Sequence, residues 1–78
     1  MAEIKEYVKF YGHPNITGLH KTTIEVTRDN YLTKNGDCII GISSNKGCID
    51  LSDEFKQKLK TDNTRLEILL LVNNNEFL

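Results

Sequence analysis

The sequence has little of what usually stabilises so small a chain. It contains no tryptophan, one proline and two cysteines in 78 residues. A domain of this size buries only about 60% of its unfolded surface, so its stability commonly depends on disulfides, a metal or a second subunit. Two cysteines are few for a small secreted domain, and their spacing is not that of a CxxC pair. We therefore expect one marginally stable domain, residues 1–78, in the reducing cytoplasm.

An excess of charge of one sign and a long apolar run are also missing. Ten basic and eleven acidic residues give a formal net charge of −1, whereas binding to nucleic acid through its phosphates needs a basic face. The longest apolar run, residues 68–72, is far shorter than the roughly 20 residues that span a membrane. The charged, alternating N-terminus does not have the pattern of a signal peptide. We expect neither nucleic acid nor a membrane as a partner.

Four segments have the hydrophobic pattern of β-strands, namely residues 3–11, 22–28, 38–43 and 65–72. The first two alternate with a period of two, which is typical of half-buried strands, although Glu6 interrupts the apolar side of the first. The third is apolar at nearly every position, which indicates burial on both faces, and the fourth is the most hydrophobic of the four. Gly41 within the third segment predicts a bulge or a close approach to the backbone.

One short helix is predicted between the third and fourth strands. Ser52 is a good N-cap, and Leu51, Phe55 and Leu59 form an apolar stripe at a spacing of four. The predicted fold is therefore mainly β, or α+β by content, with an antiparallel sheet that is sandwich-like or barrel-like. Its order is β-β-β-α-β. One helix and three strands are too few to cover the apolar last strand, which predicts a homodimer or a second half-domain as its partner.

Several motifs follow one another in a specific order: GHPN at 12–15, HKTTIEVT at 20–27, LTKNGDCIIGISSNKG at 32–47 and DLSDEFKQKL at 50–59. The chain from about residue 5 to residue 72 resembles the N-terminal half of a conserved archaeal family, domain of unknown function 371. The resemblance implies a mostly β fold of sandwich or barrel type, with helices at the edge, and no known activity. It also implies that residues 1–78 correspond to one half of a longer family domain.

A candidate ligand surface combines the histidine-containing loop with the loop at 43–47. Small polar residues with a lysine and a glycine can present N–H groups and a cation to an anion. We predict an unknown small polar ligand at His13, Asn15, His20, Thr22, Thr23 and Lys46. The alternative interpretation is structural: His13 is bonded to the backbone of its own turn, His20 caps or flanks a strand, and the threonines are strand formers.

A metal site is the alternative to this ligand surface. Zinc or another transition metal would take ligands from His13, His20, Asp37 and Cys38. Their spacing matches no standard structural zinc pattern, and Cys38 on an apolar strand is most simply a small buried residue. We therefore predict no cofactor. The predicted function is that of a small cytoplasmic binding or interaction module that self-associates, and a metal-dependent or hydrolase-like site is the alternative.

Overall fold

A computed structural model describes residues 3–73 of the chain. Its regular elements within these residues are β1 (Glu25–Val26), β2 (Ile39–Gly41), a 3-10 turn (Cys48–Asp50) and α1 (Asp53–Leu59). Strands β1 and β2 form a two-stranded parallel sheet, with a shift in register between Glu25 and Val26. Tyr11 adds an isolated antiparallel bridge to Ile42. The sheet is open and small, and most of the chain around it is irregular.

The predicted antiparallel sandwich or barrel is wrong, and so is the order β-β-β-α-β. Segments 22–28 and 38–43 contribute the short parallel strands β1 and β2, segment 3–11 contributes one bridge, and segment 65–72 forms no strand. The stretch from residue 27 to residue 38 is long enough for a parallel crossover, which needs about a dozen residues. Alternation identifies residues that suit a pleated surface, but a strand also needs a neighbour with free backbone groups.

Helix α1 begins where its sequence predicts. The Ser52 hydroxyl accepts a hydrogen bond from the backbone N–H of Phe55 at 3.1 Å, and Asp53 and Glu54 occupy the first turn. The acidic residues lie where the helix dipole favours negative charge, while Lys56 and Lys58 lie in the last turn. The prediction of a short helix capped by Ser52 is confirmed because this signal is local to the helix.

The core of the described region is very small. Leu32 and Ile42 are the buried large apolar side chains among residues 3–73, and each remains slightly exposed, at 6% and 7%. In residues 3–73 no helix has the length and apolar character to cross a membrane.

Candidate functional site

The N-terminal segment is held by the loop at 43–47 and by the start of α1. One carboxylate oxygen of Glu6 accepts from Lys46 Nζ at 3.0 Å, and the other accepts from the backbone N–H of Ser52. Lys9 and Asn45 exchange two further hydrogen bonds of 3.0 Å. The Ser52 N–H, followed by the Lys46 ammonium, lowers the pKa of Glu6 to about 2. We call this contact the Glu6 latch.

The Glu6 latch explains why a charged residue interrupts the apolar alternation of residues 3–11. Glu6 is half-buried, and a buried charge is tolerated when it is paired and hydrogen-bonded. Lys46, which the sequence suggests as an anion-binding residue, is the partner that provides this pairing. An anionic ligand at Lys46 would therefore compete with Glu6.

The loop at 43–47 is also fixed from within. The Ser44 hydroxyl is buried, donates to the carbonyl of Lys46 at 2.7 Å and accepts from the Lys46 N–H at 3.2 Å. Ser43 has a φ of 51°, a left-handed conformation, and its N–H donates to the carbonyl of Asp29 at 2.8 Å. The backbone N–H of Ser44 donates to the carbonyl of Thr27 at 3.0 Å, so the N–H groups of Ser43, Ser44 and Lys46 are all engaged.

His13 and Asn15 close a turn. The Nδ1 atom of His13 accepts from the backbone N–H of Asn15 at 3.0 Å, and the His13 carbonyl accepts from the N–H of Ile16 at 3.0 Å. The side-chain amide of Asn15 donates to the carbonyl of Leu32 at 2.7 Å. These two candidate ligand residues thus connect the turn to the buried Leu32.

His20 makes a similar contact at the approach to β1. Its Nδ1 atom accepts from the backbone N–H groups of Thr22 and Thr23, at 3.3 Å and 3.0 Å. The ring and both threonines are exposed, and the two threonine hydroxyl oxygens lie 3.5 Å apart. The backbone N–H of His20 donates to the carbonyl of Asp37 at 3.2 Å. The structure therefore brings His20, Thr22 and Thr23 together, next to the start of β2.

Cys38 is hydrogen-bonded to a carboxylate. Its Sγ donates to Glu25 Oε2 at 3.3 Å. This hydrogen bond, together with burial and the negative charge of Glu25, raises the pKa of the Cys38 thiol. A nucleophile or a metal ligand acts as the thiolate. Glu25 thus opposes both roles for Cys38, and sequence analysis missed this pair because it joins neighbouring strands.

The proposed metal ligands are not gathered into one donor set. Among residues 3–73, no group of three or more His, Cys, Asp and Glu side chains could hold a metal ion. Each histidine also uses Nδ1 as an acceptor for backbone N–H groups, which leaves the proton of the neutral ring on Nε2. A ring in this tautomer offers no free lone pair to a metal.

The described residues also expose a run of apolar side chains near residue 70. Leu66, Ile68, Leu69, Leu70, Leu71 and Val72 are all more than half exposed, up to 81% for Leu69 and 94% for Val72. They belong to residues 66–72, which we call the apolar segment. An open groove of about 2830 Å³ is lined by residues 3–12, by the apolar side of α1 and by residues 63–71.

A comparison with known protein families identifies the family of the chain. A family model described as a domain of unknown function, DUF371, matches residues 8–78. The chain belongs to DUF371. The resemblance inferred from its motifs is therefore confirmed, although the sandwich-like or barrel-like fold expected from it is not what the structure has.

A curated relative supports the same placement. The chain is similar to the "Uncharacterized protein MJ0206" of Methanocaldococcus jannaschii, with 51% identity over 53 residues. The match covers 68% of this chain and 39% of the archaeal protein, so the chain spans well under half the length of that relative. No solved structure matches the chain.

Proposed function

We propose that this DUF371 chain is an interaction module that self-associates, and that a second copy covers its apolar segment. The observation that carries the proposal is the run of apolar side chains in residues 66–72, six of which are more than half exposed. A second copy that covers these side chains would remove apolar surface from water, which favours association.

The distribution of polar groups also supports an interaction module. Two ion pairs engage charged side chains within the chain, namely Glu6–Lys46 and Arg28–Asp50, the latter at 2.8 Å. The apolar segment has no comparable cover. Exposed apolar patches of several hundred Å² commonly mark interaction sites. The cytoplasmic location predicted from the sequence belongs with this proposal.

Sedimentation velocity over a range of micromolar concentrations tests the proposal. We expect the chain to sediment as a dimer, and Leu69→Asp to shift it to a monomer, because a charge would enter the interface. Ile49→Asp is the matched control: Ile49 is 86% exposed but lies in the 3-10 turn, so its replacement should leave the dimer intact. A wild-type chain that stays monomeric, or a dimer that both changes disrupt equally, would contradict the proposal.

A further inference from the structure

The turn that leads toward β2 contains a chemically reactive pair of residues. Among the asparagines of the sequence, Asn35 alone is followed by glycine. The backbone nitrogen after an asparagine can attack the side-chain amide carbon, so that ammonia leaves and a five-membered succinimide ring forms. Glycine favours this attack, because it has no Cβ and its backbone reaches conformations that other residues avoid. Asn35 is exposed, so water can reach the ring and open it.

We propose that Asn35 is a site of spontaneous deamidation, and that the turn at residues 33–36 delays the reaction in the folded chain. The attacking nitrogen is engaged in this turn, since the N–H of Gly36 donates to the carbonyl of Thr33 at 3.1 Å. The carbonyl of Gly36 accepts from the N–H of Ile39, also at 3.1 Å. Ring closure requires the Gly36 nitrogen to lose its proton and approach the Asn35 side chain, and both hydrogen bonds oppose this movement.

The small core holds the turn closed. A Cβ atom on Gly36 would lie 2.9 Å from Cδ1 of Leu32 and 3.2 Å from Cδ1 of Ile39. The glycine backbone therefore lies directly against the buried Leu32 side chain, and the turn must leave this contact to open. Residues 33–35 on its other side are exposed. Deamidation should thus proceed through local opening of the turn, and its rate should report how often that opening occurs.

The two products of the reaction differ in what they do to the sheet. Hydrolysis of the succinimide consumes one water molecule and gives aspartate or isoaspartate. Isoaspartate adds one carbon to the main chain just before Gly36, whereas aspartate adds only a negative charge. Carbonyl groups that follow this point join β2 to the chain around β1: Cys38 accepts from the N–H of Glu25 at 2.9 Å. Because the extra carbon displaces such groups, the isoaspartyl chain should be the less stable product.

Incubation of the full-length chain at mildly alkaline pH, followed by peptide mapping with mass spectrometry, tests the site. In guanidinium chloride, which unfolds the chain, Asn35 should deamidate well before Asn30 and Asn45. These two asparagines are also exposed but precede tyrosine and lysine, so they serve as internal controls. Without denaturant, the rate at Asn35 should be more than about tenfold lower, because only the open turn reacts. Asn35→Gln, which would have to form a larger ring, should remove the early product.

Each comparison can overturn one part of the proposal. If Asn35 in denaturant reacts no faster than Asn30, the site is refuted. If Asn35 reacts equally fast with and without denaturant, the turn does not protect it. The isoaspartyl chain, separated by chromatography, should melt at a lower temperature than Asn35→Asp at the same concentration, and equal melting temperatures would refute the effect of the added carbon. This inference goes beyond the proposed function and is independent of it, since sedimentation alone decides self-association.

Discussion

The ring of Phe10 packs so closely against Gly41 that no Cβ atom fits at position 41, and this contact yields the sharpest prediction. Gly41 is buried in β2, beneath the ring of Phe10. A Cβ atom at position 41 would lie 1.8 Å from Cδ1 of Phe10 and 2.6 Å from Cε1. These distances are far below van der Waals contact, so Gly41→Ala must displace the aromatic ring or the strand.

The cost of Gly41→Ala follows from what must move. Overpacking of a core site costs about 1–3 kcal/mol, and the rigid ring cannot yield as the end of a flexible side chain would. We therefore expect a loss of about 2–3 kcal/mol in the free energy of unfolding, measured by urea denaturation at one fixed protein concentration. Gly12→Ala is the control, since no atom lies within 4 Å of its Cβ position.

A double-mutant cycle assigns the cost to the ring itself. Phe10→Ala removes the ring, so adding Gly41→Ala to that variant should cost much less than it does in the wild type. The coupling between the two changes should reach about 2 kcal/mol, within the range found for residues in contact. The reasoning is refuted if Gly41→Ala is as costly without the ring as with it, or if it is as mild as Gly12→Ala.

Three further predictions concern the Glu6 latch, the helix cap and the cysteines. Because the pKa of Glu6 in the folded protein is lowered from 4.5 to about 2, the Glu6 latch stabilises the fold above pH 4.5, and this stability is lost as the pH falls toward 2. Between pH 4.5 and pH 2 the melting temperature of Glu6→Gln should therefore fall less than that of the wild type. Ser52→Ala removes the hydroxyl N-cap and should lower the free energy of unfolding, measured by urea denaturation, by about 1 kcal/mol. Ser52→Asp keeps a capping oxygen and should retain most of this stability. In timed alkylation followed by mass spectrometry, exposed Cys48 should react before Cys38, and Glu25→Gln should speed the reaction of Cys38; equal rates in both chains would contradict the role of Glu25.

The sequence predicted those structural features that depend only on residues close together in the chain. The helix start at Ser52 and the close approach at Gly41 are both present in the structure, because a cap and a missing Cβ act over a few residues or a single position. The interpretation of His13 as a turn residue bonded to the backbone also agrees with its hydrogen bond to Asn15. Its Nδ1 partner is only two residues away.

The partners of the strands could not be predicted in the same way. Residues 22–28 and 38–43 have strand character, but only their placement shows that β1 and β2 run parallel. Glu6 stood out as a charge on an apolar side, which signals a need for a partner, yet Lys46 lies 40 residues further along the chain. The identity of that partner is a property of the fold and not of the local pattern.

The apolar segment is another strand whose partner the sequence does not identify, and it is also the basis of the proposed function. Its sequence predicts a hydrophobic strand that needs to be covered, and among residues 3–73 no other strand pairs with it. Such a segment can be covered by other residues of its own chain or by a second copy, and we propose the second copy. The two arrangements differ in one thermodynamic respect, since cover in trans makes the melting temperature rise with protein concentration and cover within one chain does not. A concentration-dependent melting temperature that Leu69→Asp abolishes and Ile49→Asp preserves would therefore place the missing part of the core in the partner copy.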